Sequence, residues 1–373
     1  MLLKNKKTAI IGAGPAGLML AKLLQQNGAE VTVYERDKDS HTRIWGGTLD
    51  LHKDSGQKAM KKAGLLESYY ALALPMGIIM ADEQGKPFFT HPITSENQYD
   101  NPEINRNILR KMLLDSLAED TVVWDRKCTG LEVLNGKWLL RFDNNTQATA
   151  DFVIGANGGM STIRSYVTDA EVENTGTVII HGDIPNPEVN CPEFYQLCNG
   201  KRLMAAYEGN LLIVNPNNNG TLMYGVIFKQ PEDYGASFQD TDIIRKLLLE
   251  RFTDWDELYK GLFRSTSSFR SLPTRKFSLD QPWKKNRPLP VTLIGDAAHL
   301  MPPFAGQGVN TGLMDALILS EKLISGNYET PDSAIESYEE EMFKYAREAQ
   351  LASSRNEIEM REPGFSFEQL IVK

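Results

Sequence analysis

Three glycines near the start of the chain have the spacing of a site for nucleotide phosphates. Gly12, Gly14 and Gly17 form a GxGxxG pattern between the apolar run Thr8–Ile11 and a stretch of leucines and alanines at helical spacing. The first glycine permits a tight turn, the second lets the backbone approach a pyrophosphate, and the third allows close packing of helix and strand. The N-terminus of the following helix then offers free N–H groups to the phosphates.

An acidic residue after the next β-rich run completes this pattern. Val31–Tyr34 is typical of a strand, and Glu35 follows it directly. A carboxylate at that point accepts hydrogen bonds from ribose hydroxyls. The order of strand, glycines, helix, strand and acid predicts dinucleotide binding, and it leaves open whether the ligand is NAD(P) or FAD.

A second segment, far along the chain, suits the rest of a dinucleotide. The run 291–296 predicts a buried strand that delivers Asp296 to its carboxyl end, where a chain of sugar-like hydroxyls can bind. Two prolines stiffen the loop that follows. Four residues then expose backbone N–H groups at the start of the next helix, Gly306, Gln307, Gly308 and Val309. Such groups stabilise negative charge, and a reduced flavin ring carries it.

The hydrophobic pattern predicts the elements that position these residues. Residues 105–117 and 332–361 have apolar side chains at helical spacing, the latter as a long amphipathic helix. From about 175 to 272 the chain carries short β-rich runs, Phe194–Cys198 among them, and one helix at 240–252. We therefore expect an α/β fold in which an antiparallel substrate sheet is inserted into a Rossmann-type nucleotide domain. We expect residues 1–174 and 273–330 to form the nucleotide domain together, with pieces around 70–105 possible in the substrate domain. Residues 175–272 are expected to form the substrate domain, and residues 331–373 a C-terminal helix and tail.

Composition excludes several classes of function. The 373 residues carry a formal net charge of −9, which argues against nucleic-acid binding through a basic surface. Apolar runs stay below the roughly 18 residues of a membrane span. Three cysteines without CxxC spacing predict neither a disulfide framework nor a metal site, and favour a reduced, cytoplasmic setting. The histidines and carboxylates show no metal-ligand spacing, so no metal is expected.

Three boxes in order make the chain resemble the aromatic-hydroxylase group of FAD-dependent monooxygenases, whose founding fold is that of p-hydroxybenzoate hydroxylase. They are the GxGxxG pattern, the sequence NGGMSTIR at 157–164, and the sequence GDAAH that begins at Gly295 and continues into PPFAGQGVN. Asn157 stands where that group has aspartate. The resemblance implies FAD as cofactor and NADPH as co-substrate, bound transiently at the surface near the flavin. Because the cofactor does the hard chemistry, no catalytic side chain is expected.

Within this group, the sequence most specifically resembles the TetX-type tetracycline destructases. The resemblance runs nearly from end to end and includes runs such as GGTLDLHK, DNPEINRN and NPNNNG. This resemblance implies FAD contacts at Glu35, Arg36, Asp50, Arg106, Asp296 and the Gly306–Val309 backbone. Arg43 is a further candidate for a phosphate contact, or a solvated loop residue. The resemblance also implies a monomer that hydroxylates tetracyclines with dioxygen through a flavin hydroperoxide.

The substrate region matches that family less well. His181 replaces a substrate-contacting glutamine, Met223 replaces a substrate-facing histidine in the run that ends at Gly225, and Arg202 matches a substrate-contacting arginine. Phe304 could cover a planar ring or belong to the core. A thioether is only a weak acceptor, whereas imidazole donates and accepts. A hydroxylase of another aromatic or polycyclic compound is therefore the main alternative, ahead of a flavoprotein oxidase or reductase and of a non-enzymatic flavin-bound sensor or drug-sequestering protein.

Overall fold

The computed structural model describes residues 2–42, 44–232 and 234–371. The strands of this part of the chain are, in order, β1 (Lys7–Ile11), β2 (Glu30–Tyr34), β3 (Leu49–Asp50), β4 (Ile78–Ala81), β5 (Pro87–His91), β6 (Glu103–Ile104), β7 (Val122–Val123), β8 (Cys128–Leu134), β9 (Lys137–Phe142), β10 (Gln147–Ala150), β11 (Phe152–Gly155), β12 (Val172–Pro185), β13 (Arg202–Tyr207), β14 (Asn210–Asn215), β15 (Thr221–Lys229), β16 (Phe269–Phe277) and β17 (Val291–Leu293).

The α-helices of the same residues are α1 (Pro15–Gln25), α2 (Gly56–Lys62), α3 (Leu66–Leu72), α4 (Arg106–Asp115), α5 (Pro187–Asn190), α6 (Pro192–Cys198), α7 (Thr241–Arg251), α8 (Glu257–Ser265), α9 (Asp296–His299), α10 (Gly308–Ile324) and α11 (Pro331–Met360).

A parallel sheet forms the nucleotide-binding half of the molecule. Its order is β17-β11-β1-β2-β7, so the strand before the glycines lies at the centre and the strand before Asp296 lies at one edge. Strands β1, β11 and β17 are almost wholly buried, as the continuous apolar runs predict for a sheet covered on both faces. Helices α1 and α10 pack together over it. This arrangement confirms the predicted α/β fold class.

A larger, mostly antiparallel sheet forms the other half. Its order is β16-β12-β15-β14-β13-β4-β5, and only β13 and β4 run parallel. The segment 78–91 therefore belongs to this sheet. The predicted boundaries at 174/175 and 272/273 fall inside β12 and β16. We propose that the domains divide at the ends of these two strands.

Two local predictions in this half are wrong. Residues Phe194–Cys198, predicted as a strand, lie in helix α6, which Pro192 begins at a position that suits proline. Helix α8 was not expected beside α7; Asp256 caps it by accepting the Leu258 N–H. Both helices pack their aromatic residues on the inner face of the sheet, where Phe194 and Tyr259 are buried. Tertiary burial, rather than local propensity, determines these two segments.

The C-terminal helix joins the two halves. Thr330 and Ser333 form a capping box at its start, and Tyr338 and Met342 pack in the core around the parallel sheet. Its second half follows the junction, where Gln350 donates to the carbonyl of Phe277 and Glu357 accepts from Thr274 on β16. The helix ends at Met360, beside the larger sheet.

Candidate functional site

One cavity of about 840 Å³ is lined by residues of both sheets and brings most of the predicted site residues together. Those on its wall are Gly12, Gly14, Glu35, Arg36, Asp50, Arg106, Asp296, Gly306, Gly308, Val309, His181, Arg202, Met223, Gly225 and Phe304. Gly17 and Gln307 are not among the lining residues, and Arg43 lies outside the described residues. A single space therefore connects the glycine-rich turn to the substrate sheet.

The glycine-rich turn has the backbone that its pattern predicts. Gly12 has φ +113°, and a Cβ there would lie 2.4 Å from the carbonyl oxygen of Ala156. A Cβ on Gly17 would lie 2.2 Å from the carbonyl oxygen of Gly12, so this glycine permits α1 to pack on β1. Gly14 is the N-cap residue of α1 and has no side chain to occupy the first amides of the helix. Those amides remain suited to phosphate oxygens.

Glu35 stands at the carboxyl end of β2, next to this turn. Its two carboxylate oxygens accept hydrogen bonds from the Ala13 N–H at 2.5 Å and the Asp37 N–H at 3.1 Å. These bonds hold the buried carboxylate at the cavity wall, where it can also accept from a ribose. Arg36, the next residue, is exposed at the same wall.

Arg164, from the middle box, holds the segment that carries Asp296. Its guanidinium donates to the carbonyls of Gly159, Ala297 and Asp296 at 2.7, 2.9 and 3.0 Å. The same group lies 4.4 Å from the centre of the Phe277 ring. Burial lowers the pKa of Arg164 to about 10, with nearby Asp296 acting in the opposite direction. Arg164 thus positions the turn at Gly295 and Asp296 by binding its backbone carbonyls.

The loop before α10 lines the cavity beside Asp50. Asn310 donates to the carbonyls of Asp50 and Gly306 at 3.0 and 3.1 Å, and its oxygen accepts the His52 N–H at 2.8 Å. Gly306 has φ +63°. Gln307 is the N-cap of α10, and its carbonyl accepts the Thr311 N–H at 2.8 Å. These hydrogen bonds hold the backbone of this loop against the segment that carries Asp50 and His52.

Arg106 lies where the two halves of the cavity meet. Asn105 caps α4 through the amides of Asn107 and Ile108, so Arg106 is the first residue of that helix. Its Nε donates to the Gly47 carbonyl at 2.8 Å. Burial lowers the pKa of Arg106, and the Asp296 carboxylate opposes that effect.

The substrate sheet contributes a mainly apolar wall with few polar groups. His181 on β12 is paired with Gly225 on β15, which leaves space beside the imidazole. Burial, with Arg106 and Arg270 nearby, lowers the pKa of His181 to about 4, so the ring is neutral at physiological pH. Met223 is buried, and the Asn218 amide lies 3.2 Å from its sulfur. Phe304 both lines the cavity and packs with the core residues of this sheet.

Several wall residues were not predicted from the sequence. They are spread over the loop after Glu35, strands β13 to β15 and the end of α11, and include Thr48, His52, Met204, Ile213, Asn215, Ile227 and Met360. The alternation of residues in β13 and β14 was a usable signal, because Met204 and Ile213 are paired across these strands. Met360 carries no local signal, since only the path of α11 places it here.

The cavity fits FAD by its own geometry. A Cβ on Gly14 would meet no described atom within 4 Å, so the space in front of the α1 N-terminus is open to a pyrophosphate. Glu35 and Asp296 mark the carboxyl ends of two strands of the parallel sheet, where nucleotides bind in such folds. Within residues 2–42, 44–232 and 234–371, no group of three or more His, Cys, Asp or Glu is arranged to hold a metal ion. In the same residues, no helix combines the length and apolar character needed to cross a bilayer.

Comparison with known proteins agrees with this geometry. A family described as "FAD binding domain" matches residues 5–352. The chain therefore belongs to this family of FAD-dependent monooxygenases.

Among its relatives, the kynurenine 3-monooxygenase of Cytophaga hutchinsonii is 31% identical over 348 residues, covering 89% of this chain and 75% of that protein. Monooxygenase penA of Penicillium thymicola is 28% identical over 370 residues, covering 85% and 84%. The solved structure of the tetracycline destructase Tet(55) has a TM-score of 0.79 at 23% identity, and the match covers 100% of this chain and 94% of that one. That likeness shows the fold.

Proposed function

We propose that this protein is an NADPH-consuming monooxygenase that hydroxylates and so inactivates tetracycline antibiotics. The observation that carries the proposal is the continuity of one cavity from the glycine-rich turn, past Arg106, to the wall around His181 and Phe304. When bound and reduced, FAD would supply the activation of dioxygen, so that one oxygen atom enters the substrate and the other leaves as water. The resemblance to TetX-type enzymes in the runs quoted above supports tetracycline as that substrate.

The protein's own residues bind, orient and exclude water. Ile179, Ile213, Ile227 and Phe304 form an apolar wall that excludes water from a planar ring. His181, being neutral, donates or accepts a hydrogen bond and so fixes the rotation of that ring. We assign no acid, base or nucleophile, because precise placement of the substrate carbon is the protein's part of the reaction.

NADPH is proposed as a transient partner at the protein surface near the flavin. Arg43, proposed as a phosphate contact, lies outside the described residues, and Arg36 is exposed at the cavity wall close to the nucleotide end. Arg43→Gln should raise the KM for NADPH and leave the affinity for FAD within about twofold. Arg36→Gln should instead weaken FAD binding, since Arg36 is the proposed FAD contact. We propose that the protein acts as a monomer, which size-exclusion chromatography with light scattering tests.

The experiment measures NADPH oxidation under oxygen with and without tetracycline, followed by mass spectrometry of the product. We expect oxidation stimulated by tetracycline and a product 16 mass units heavier. Stimulated oxidation that yields only hydrogen peroxide would contradict oxygen transfer to tetracycline. Exclusion of oxygen is the control, since it must stop product formation.

A second candidate is a hydroxylase of the same mechanism that acts on another aromatic or polycyclic compound. The buried thioether of Met223, held by Asn218, favours it, because the substrate-facing imidazole of TetX-type enzymes is missing. The relatives include kynurenine 3-monooxygenases, so kynurenine belongs in the substrate panel. An oxygenated product from another panel member, with none from tetracycline, would replace the first proposal with this one.

A further inference from the structure

Two carboxylates lie side by side next to Arg202, and of the two only Asp50 lines the cavity. In the two-stranded β3–β6 sheet, Asp50 is directly opposite Glu103. Side chains of directly opposite residues share one face of the sheet, and like charges in that position repel. Glu103 is only 5% exposed, so water does little to screen it. The two neighbouring negative charges therefore need a nearby positive charge to stabilise them.

Arg202 supplies that cation from the other sheet. Its guanidinium forms an ion pair with Glu103. Burial opposes ionisation of Asp50, but the hydrogen bond with His52 and the nearby charge of Arg202 lower the pKa of this carboxyl. Thr48 donates to the second carboxylate oxygen of Glu103, and Asn215 donates to Thr48 at 2.6 Å. One guanidinium therefore faces two carboxylates, and Thr48 and Asn215 hold the Glu103 carboxylate in place through hydrogen bonds.

Two other arginines and one histidine lie near the substrate end, and each interacts with neighbouring groups of the protein. Arg106 faces the Asp296 carboxylate, and its Nε is bonded to Gly47. His181 is neutral, because burial first, and then the charges of Arg106 and Arg270, lower its pKa. Arg270 is exposed, 6.0 Å from the centre of the Trp45 ring. A substrate carboxylate next to Arg202 would lie near two carboxylates of the protein, Asp50 and Glu103. The positive charge of Arg202 is already balanced by Glu103.

We propose that Glu103 determines substrate charge: by occupying Arg202 it selects a ring that presents a neutral hydrogen-bonding group, such as a phenol, ketone or carboxamide, and rejects a carboxylate at the same place. The inference rests on the proposed function, since it takes this end of the cavity as the substrate site. Glu103 acts through Arg202, so it is a positioning residue rather than a catalytic one.

The test uses two matched probes, anthranilamide and anthranilate, which share an aminobenzene ring and differ in a carboxamide against a carboxylate. Each is titrated into the FAD-loaded protein by isothermal calorimetry, without NADPH. The wild type should bind anthranilamide about tenfold tighter than anthranilate. Glu103→Gln should lose that preference or reverse it, because it should bind anthranilate more tightly than the wild type does. Adding Arg202→Gln to this variant should abolish the improved binding of anthranilate.

Glu132→Gln is the matched control, because Glu132 also pairs with an arginine but is exposed, and it should keep the wild-type preference. Equal or tighter binding of anthranilate by the wild type, or an unchanged preference in Glu103→Gln, would overturn the proposal. So would binding of neither probe to the wild type. If Glu103→Gln fails to retain FAD, the wild-type comparison decides alone. Since no turnover is involved, failure here is distinguishable from failure to hydroxylate tetracycline.

Discussion

The Asp315 carboxylate on α10 accepts a hydrogen bond from the Gly295 N–H at 2.6 Å. This bond connects helix α10 to the turn that carries Asp296. The same oxygen lies 2.6 Å from Nε2 of His299, and the other oxygen accepts the Tyr345 hydroxyl of α11 at 2.6 Å. Asp315 and His299 are fully buried. One carboxylate thus connects the C-terminal helix to the cofactor end of the cavity.

Asp315→Asn should weaken FAD binding by about tenfold, because an amide cannot accept all three hydrogen bonds and leaves a buried donor unsatisfied. Tyr345→Phe should have a smaller effect in the same direction. Fluorescence titration of the apoprotein with FAD measures both. Ser320→Ala is the control, since this buried hydroxyl of α10 bonds only to the carbonyl of Leu317. Unchanged FAD affinity with a lowered melting temperature would show a merely structural role.

Two glycines of the same motif should respond differently to alanine. Gly17→Ala forces a Cβ against the Gly12 carbonyl at 2.2 Å and should lower the free energy of unfolding by about 1–3 kcal/mol. Gly14 has φ −79°, which alanine adopts, so Gly14→Ala should change stability by less than about 1 kcal/mol. Its added methyl group occupies the approach of the pyrophosphate, so FAD affinity should fall at least tenfold.

Urea unfolding and FAD titration on both glycine variants provide the check. If Gly14→Ala bound FAD normally, the pyrophosphate would not lie at the α1 N-terminus.

Arg164→Lys should destabilise the fold by roughly 2–4 kcal/mol and weaken FAD binding, because an ammonium cannot reach three carbonyls arranged for a guanidinium. Arg141→Lys is the matched control, since Arg141 pairs with Glu132 on the surface, and it should be near neutral. Thermal melting in the presence and absence of FAD measures both quantities. Equal effects of the two substitutions would contradict a positioning role for Arg164.

The pKa of His181 makes the protein less stable in acid. With a folded-state pKa of about 4 against 6.5 in the unfolded chain, the unfolded state alone binds a proton between these values. Stability is therefore lost as the pH falls from 6.5 towards 4, by up to about 3 kcal/mol. His181→Gln should lose less stability over this range in urea unfolding.

His41→Gln, which changes an exposed histidine, should follow the wild-type pH dependence. If His181→Gln also followed it, the imidazole would not be held neutral by the folded protein.

The amino-acid sequence by itself determined the parts of the protein that rest on short-range geometry. The turn at Gly12, the N-terminus of α1, the acid after β2 and the strand leading to Asp296 each need only a few consecutive residues, so their spacing predicts both element and chemistry. The α/β fold class follows from the same runs. Helix α6 was missed, because its apolar residues fit a strand or a helix until the sheet that buries them is known.

The tertiary structure decided the character of the substrate end. Arg202 was predicted to contact substrate, yet its charge is taken up by Glu103, a residue about a hundred positions earlier that no local pattern singles out. Likewise Met360 reaches the cavity only through the course of α11, and Asp315 meets Gly295 only because α10 packs against the turn that follows β17. Electrostatic compensation and cavity shape depend on residues distant in the chain, and only the completed packing of both sheets brings them within reach.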